Sequence, residues 1–274
     1  MKFSSVILLV TFLLLVTGMF ASNILLKKEY DKIDKSDLYW TYGKILEHPF
    51  KYLKIEGGNI THIAFEQNKN ASVRVFKNWY GYENKVVKAY VKNDTLFVKF
   101  PNKTKDYYEK QFLQRNTMVR IFAPELLYVD GFDTNIGLFK LEQKSVRVNL
   151  SGKSTFEVES YLANMDSLHI TQSDSSEVVF EMSPDLKGKL PIGRQDINAN
   201  VPALRSEQAG LQDTSSHDVV SHSWQTMYVK SVSATVKGSS LLDLGQAQIN
   251  SLQLNISDTS AIILSGESLR KFKR

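Results

Sequence analysis

The chain has 274 residues, 42% of them hydrophobic and 23% charged, with a formal charge of +5; this is the make-up of a folded protein and excludes a disordered one. There is no cysteine, which rules out disulfides, thiolate metal sites, iron–sulfur clusters and cysteine nucleophiles. The basic excess is small, and no run combines dense lysine or arginine with stacking aromatics, so nucleic acid is not an expected partner.

Val6 to Leu26 (VILLVTFLLLVTGMFASNILL) is twenty-one residues long and carries no charge. At about 1.5 Å per residue a helix of that length covers the roughly 30 Å hydrocarbon core of a bilayer. Lys2 precedes it, and Lys27 and Lys28 follow. Its length favours an uncleaved signal anchor over residues 1–26, with residues 6–26 in contact with the lipid bilayer. The expected location is a bacterial inner membrane, crossed once, with the body in the periplasm. The alternative is cleavage near Val16-Thr17-Gly18 and a secreted or cell-surface body. Residues 27–49 read as a juxtamembrane linker.

The body carries an internal repeat. Four segments of thirteen residues align without gaps: Val146–Val158 (VRVNLSGKSTFEV), Leu168–Phe180 (LHITQSDSSEVVF), Val232–Leu244 (VSATVKGSSLLDL) and Leu252–Leu264 (LQLNISDTSAIIL). Apolar residues stand at positions 1, 3, 11 and 13 of every copy, and a serine at position 9: Ser154, Ser176, Ser240 and Ser260. Position 5 is apolar in three copies and Gln172 in the other. The alternation at each end is that of a strand with one buried face, and the small polar centre is turn chemistry. Copies start twenty-two residues apart (146 and 168) and twenty apart (232 and 252), the length of one strand–turn–strand circuit. A single circuit cannot bury its apolar face, so circuits must stack. The predicted fold is all-β, a parallel β-helix or solenoid with rungs of about twenty residues over 50–268; an antiparallel β-sandwich is the alternative.

Upstream, Leu53–Gly57 and Leu127–Gly131 read as strands entering equivalent turns, and Ser72–Phe76, Thr95–Phe100 and Thr117–Phe122 alternate in the same way. Lys103–Gln114 is expected to form a short helix, and a second is expected near Pro202–Gly210. Residues 181–227 hold Pro184, Pro191 and Pro202 and break the rhythm, so they read as an irregular insertion, since proline is poorly tolerated in a central strand. Residues 269–274 are a basic, solvated tail.

These features resemble a known family. Phe50-Lys51-Tyr52-Leu53-Lys54-Ile55-Glu56-Gly57 fits the pattern F-x-x-[LI]-x-[IV]-x-G, and [LV]-x-[LIV]-x-x-S-G/D-x-S units follow a single apolar leader. The pattern is similar to that of GIN-domain proteins, also called auto-transporter adhesin head domains, a family of unknown function in Bacteroidetes-type bacteria. The resemblance implies a right-handed β-helix facing the periplasm or the cell exterior. It brings no catalytic residues with it.

No residue cluster amounts to an active site, a metal site or a cofactor site. The position-9 serines lack the recurring histidine and acid of a triad and read as a structural turn ladder. Asp174 and Asp258 raise the question of calcium, but Gly152 and Gly238 hold the same place in two copies, which favours turn capping. His217 and His222 lack an evident third ligand. Tyr39, Trp40, Tyr42, Trp79, Tyr80, Tyr82, Tyr107 and Tyr108 read mainly as core and capping aromatics. Trp79, Tyr80, Tyr82 and Trp224 are the candidate ligand or partner surface, because aromatic faces bind sugars and proteins. The expected function is binding, adhesion or scaffolding, without catalysis, toward an envelope protein or a glycan. A polysaccharide-processing enzyme is the alternative, for which Asp174, Glu177 and Glu181 are the only acids to nominate.

Overall fold

A computed structural model of the chain describes residues 3–34, 36–79, 82, 84–101, 113, 116–139, 141–159, 163–181, 228–245 and 247–264. Contacts divide the chain into two units, Met1–Tyr42 and Gly43–Arg274.

The first unit is dominated by helix α1, Phe3–Asp31, which runs five residues beyond the apolar segment. It is long and apolar enough to cross a membrane, a property that signal sequences share, and its apolar window is wholly unburied. Two hydroxyls inside it are satisfied without outside partners: Thr11 Oγ1 donates to the Ile7 carbonyl at 3.0 Å and Thr17 Oγ1 to that of Leu13 at 2.8 Å. After the helix, Tyr39 packs edge-on against Tyr42.

The second unit is built of strands, with Leu113 the only described residue of Lys103–Gln114, where a short helix is expected. Strand β1 (Tyr42–Leu46) starts at the last residue of the first unit, so strand structure begins inside the segment read as a linker. There follow β2 (Tyr52–Glu56), β3 (His62–Gln67), β4 (Ser72–Phe76), β5 (Lys88–Lys92), β6 (Thr95–Lys99), β7 (Thr117–Ala123), β8 (Tyr128–Phe132) and β9 (Asn135–Phe139). The repeat region supplies β10 (Leu141–Ser151), β11 (Thr155–Glu159), β12 (Ala163–Gln172), β13 (Glu177–Glu181), β14 (Tyr228–Val236), β15 (Leu241–Asp243), β16 (Gln248–Ile256) and β17 (Ala261–Ile263). The strands form two sheets. One has the order β1-β4-β7-β3-β9-β11-β13-β15-β17, the other β16-β14-β12-β10-β8-β2-β6-β5.

Through the repeats the chain alternates between the two sheets, and each strand pairs in parallel with its successor in the same sheet. Position 1 of each copy meets position 1 of the next: Val146 opposite Leu168, Leu168 opposite Val232, Val232 opposite Leu252. The side-chain period of two then forces each inward row to coincide. Val146, Val148, Leu168, Ile170, Val232 and Ala234 from one sheet, and Phe156, Val158, Val178, Phe180 and Leu242 from the other, are all at most 2% exposed. Each large side chain so buried is worth roughly 1.5–3 kcal/mol.

Although 46 residues separate the end of β13 from the start of β14, β14 pairs directly with β12, and β15 with β13. Residues 182–227, including Trp224, His217, His222 and the helix expected near Pro202–Gly210, lie outside the described residues.

The upstream rungs are not stacked in chain order. β2 lies between β6 and β8, and β3 between β7 and β9, so the rung holding β6 and β7 sits outside the one that precedes it in sequence. Toward this edge the pairing turns antiparallel, β5 against β6 in one sheet and β4 against β7 in the other, with β1 beyond β4.

One corner between the sheets explains the turn chemistry. The registers place Gly57, Asp133, Gly152, Asp174 and Gly238 in one column. All five have left-handed backbone, with φ of 84°, 51°, 68°, 66° and 66°. Glycine enters that region freely, and aspartate is among the few other residues that tolerate it. The aspartates also serve their neighbour: the Gly152 N–H donates to Asp174 Oδ2 at 3.0 Å, and the Lys153 N–H to Asp133 Oδ1 at 2.8 Å.

Two residues further on run the position-9 serines. Ser154, Ser176 and Ser240 are each 1% exposed. Ser154 Oγ donates to the Ser151 carbonyl at 2.6 Å and accepts the Thr134 N–H at 3.1 Å; Ser240 Oγ donates to the Lys237 carbonyl at 2.7 Å. Ser176 and Ser240 hydroxyls bond to each other at 3.3 Å, and Ser260 donates to the Gly238 carbonyl at 2.8 Å. The polar exception, Gln172, is fully buried, and its Nε2 donates to the Leu241 carbonyl in the following rung at 2.9 Å.

Candidate binding groove

Inward residues of the sheet that contains β2, β8, β10 and β12 leave the alternate side chains on its outer face. Register carries Tyr52 opposite Tyr128, Tyr128 opposite Arg147, and Arg147 opposite His169. Strand spacing of about 4.8 Å gives this row a length of about 14 Å. Tyr52, Arg147 and His169 are exposed and Tyr128 is half-buried. With Leu127, Ser145, Val146 and Ser167 they line a groove of about 630 Å³.

A second outer row braces the first. Lys54 Nζ lies 3.1 Å from Asp130 Oδ2, and Asn149 Nδ2 donates to Asp130 Oδ1 at 2.9 Å, so one carboxylate ties three neighbouring strands. The bond to Asp130 holds the Lys54 ammonium above its ordinary range. Burial pushes the Tyr128 phenol up, and the nearby Asp130 charge adds to it, so this tyrosine stays a neutral hydroxyl. Farther along the face, Tyr90 and Phe97 stack with ring centroids 5.0 Å apart. The groove thus presents phenol rings, a guanidinium, an imidazole and two serine hydroxyls, and among the described residues its lining holds no carboxylate.

The aromatic surface expected from sequence is not this one. Trp79 is 3% exposed, so its ring is a packing residue with no face for a ligand, a correction to the expectation. Tyr82 is half-buried and lines a different cleft, with Lys44, Lys85 and Lys88. Tyr80 and Trp224 lie outside the described residues. Among the nominated acids, Asp174 is engaged with the Gly152 N–H at the corner. Glu177 stands on the outer face of the other sheet, where burial and then the Asp243 charge raise its carboxyl above the usual range. Glu181 ends β13. Asp258 is exposed. The row of Tyr52, Tyr128, Arg147 and His169 was missed because its members come from four strands spread over more than a hundred residues. The only signal in the sequence is that each falls at an outward position beside a buried apolar residue of its strand.

No protein-family profile and no curated protein matches this chain. Similarity is found to solved structures. One is a "putative adhesin" from Bacteroides fragilis (8% identity, TM-score 0.34), with 81% of this chain and 94% of that chain covered. A second "putative adhesin", from Parabacteroides distasonis, has 13% identity and a TM-score of 0.33, with 82% and 96% covered. A third, from Parabacteroides merdae, has 11% identity and a TM-score of 0.31, with 82% and 95% covered.

Proposed function

We propose that this chain is a non-enzymatic binding protein of the bacterial envelope, held to the inner membrane by residues 6–26, whose periplasmic body is a right-handed β-helix of the GIN-domain kind. In this reading the body spans 50–268. The groove of Tyr52, Tyr128, Arg147 and His169 receives a glycan. The observation that carries the reading is the composition of that groove: aromatic rings beside fork-shaped and single N–H donors suit a flat, hydroxyl-rich ligand. Glycoside hydrolysis needs a pair of carboxylates at the bond to be cleaved, and among the described residues the lining supplies none.

The test is a glycan array probed with the full chain in nanodiscs, followed by titration of any hit against Arg147→Ala and His169→Ala. Both side chains are exposed, so the fold should be unchanged, and affinity should fall about tenfold or more for each. Binding that is indifferent to both substitutions, or product release from the bound glycan, would overturn the proposal. Intact mass of the protein purified from membranes distinguishes an anchor from a cleaved leader.

A further inference from the structure

A second cleft, separate from the groove above, is lined by Lys44, Ile45, Val75, Tyr82, Lys85, Val87, Lys88 and Ala89 and encloses about 720 Å³. Its floor is apolar: Val75 is 1% exposed and Val87 is 7% exposed. Ile45 stands 37% exposed at its side, an isoleucine left facing the opening. The polar groups around it are of one sign. Lys44 is matched by Glu47 at 2.5 Å, whereas Lys85 and Lys88 have no ion-pair partner among the described residues.

The cleft is a built feature in two respects. The Tyr82 ring lies so close to β1 that a Cβ at Gly43 would overlap its hydroxyl and ring carbons; glycine at 43 is what lets the ring take this place. Lys85 adopts left-handed backbone, φ 51°, closing a turn in which its N–H donates to the Tyr82 carbonyl at 3.1 Å. Glycine or asparagine would enter that region at lower cost. A lysine held there keeps a cation at the lip, and strained backbone of this sort gathers at functional sites.

We propose that this cleft binds an anionic amphiphile: a hydrocarbon chain lies against Ile45, Val75, Val87 and Ala89, and a carboxylate or phosphate headgroup pairs with Lys85 and Lys88. A volume of this size is that of an ordinary small-ligand site, and an apolar floor beside cations that have no ion-pair partner among the described residues is what such a ligand requires. The inference does not depend on the glycan groove, since the two sites share no residue.

The experiment uses the full chain in phosphatidylcholine nanodiscs and a sixteen-carbon fatty acid bearing a diazirine on its chain. After irradiation, cross-linked peptides are mapped by mass spectrometry. Labelling is expected on the peptides around Ile45 and Val87, at least tenfold above that from the matched fatty alcohol. It should fall about tenfold in Lys85→Gln/Lys88→Gln, with circular dichroism and Tm unchanged. A phosphatidic acid carrying the same diazirine, built into the nanodisc, distinguishes a bilayer lipid from a free fatty acid; labelling by either supports the proposal. Labelling elsewhere only, equal labelling by the alcohol, or labelling indifferent to the double substitution would overturn it. Gly43→Ala is a second, chemically independent probe: displacing Tyr82 should reduce labelling while both lysines remain.

Discussion

The two edges of the stack carry the same inward pattern and have opposite fates. In β6, Leu96 and Val98 are fully buried, because β2 lies on one side and the antiparallel β5 on the other. In β16, Leu254 and Ile256 hold the corresponding inward parity and are 37% and 43% exposed, since β14 is their only strand neighbour. Among the described residues no strand covers β16 or β17. Burial at these positions is therefore conferred by the neighbouring strands and not by a residue's own strand.

Matched substitutions would break or sharpen that comparison. Leu96→Ala should cost about 2–4 kcal/mol in urea unfolding, the range for a leucine that leaves a cavity, whereas Leu254→Ala should cost less than about 1 kcal/mol. Equal costs would mean that something shields the β16 edge. The corner column offers a smaller contrast. Gly238→Ala forces a Cβ to within 2.8 Å of the Asp174 carbonyl oxygen at a left-handed φ and should cost about 1–3 kcal/mol. Asp258→Ala, one rung on and exposed, should change unfolding by less than about 0.5 kcal/mol.

The smallest effect concerns the outer face. Burial and the Asp243 charge raise the Glu177 pKa in the folded protein, so the native state holds that proton more tightly than the unfolded chain. Stability from this group accordingly grows as pH falls through the carboxylate range and is lost as pH rises above it. Glu177→Gln should stabilise at neutral pH by less than about 1 kcal/mol, the group being half open to water, and should flatten that slope. A destabilised variant at pH 7 would refute the assignment.

Much of this architecture was legible because parity and turn chemistry are local. The four thirteen-residue segments pair at position 1 as their alignment implies, and Gln172, the one polar intruder, is accommodated by a carbonyl from the next rung. The upstream region shows where letters mislead. Leu53-x-Ile55-x-Gly57 and Leu127-x-Val129-x-Gly131 match as strings, yet Leu53 pairs with Val129, two residues off. Gly57 is a corner residue at φ 84°; Gly131 is a strand residue, where a Cβ would come within 3.0 Å of Leu150. The same letter answers two different demands. The reversed order of β2 and β6 was equally hidden, because nothing in an alternating strand names its neighbour. The groove residues shared that fate: tyrosine, arginine and histidine on separate strands acquire meaning only once the register is known.

The long separation between paired β12 and β14 has a kinetic consequence. Leu168 and Val232 are 64 residues apart, whereas other stacked copies lie about twenty apart. Loop-closure entropy makes the longer connection costlier by about 1 kcal/mol, roughly a fivefold slower encounter if that closure limits assembly. The protein thus has a natural seam. Strands from β8 to β13 pair with near neighbours in sequence, whereas β14 joins β12 only across the longer separation, as β2 joins β8 at the other end.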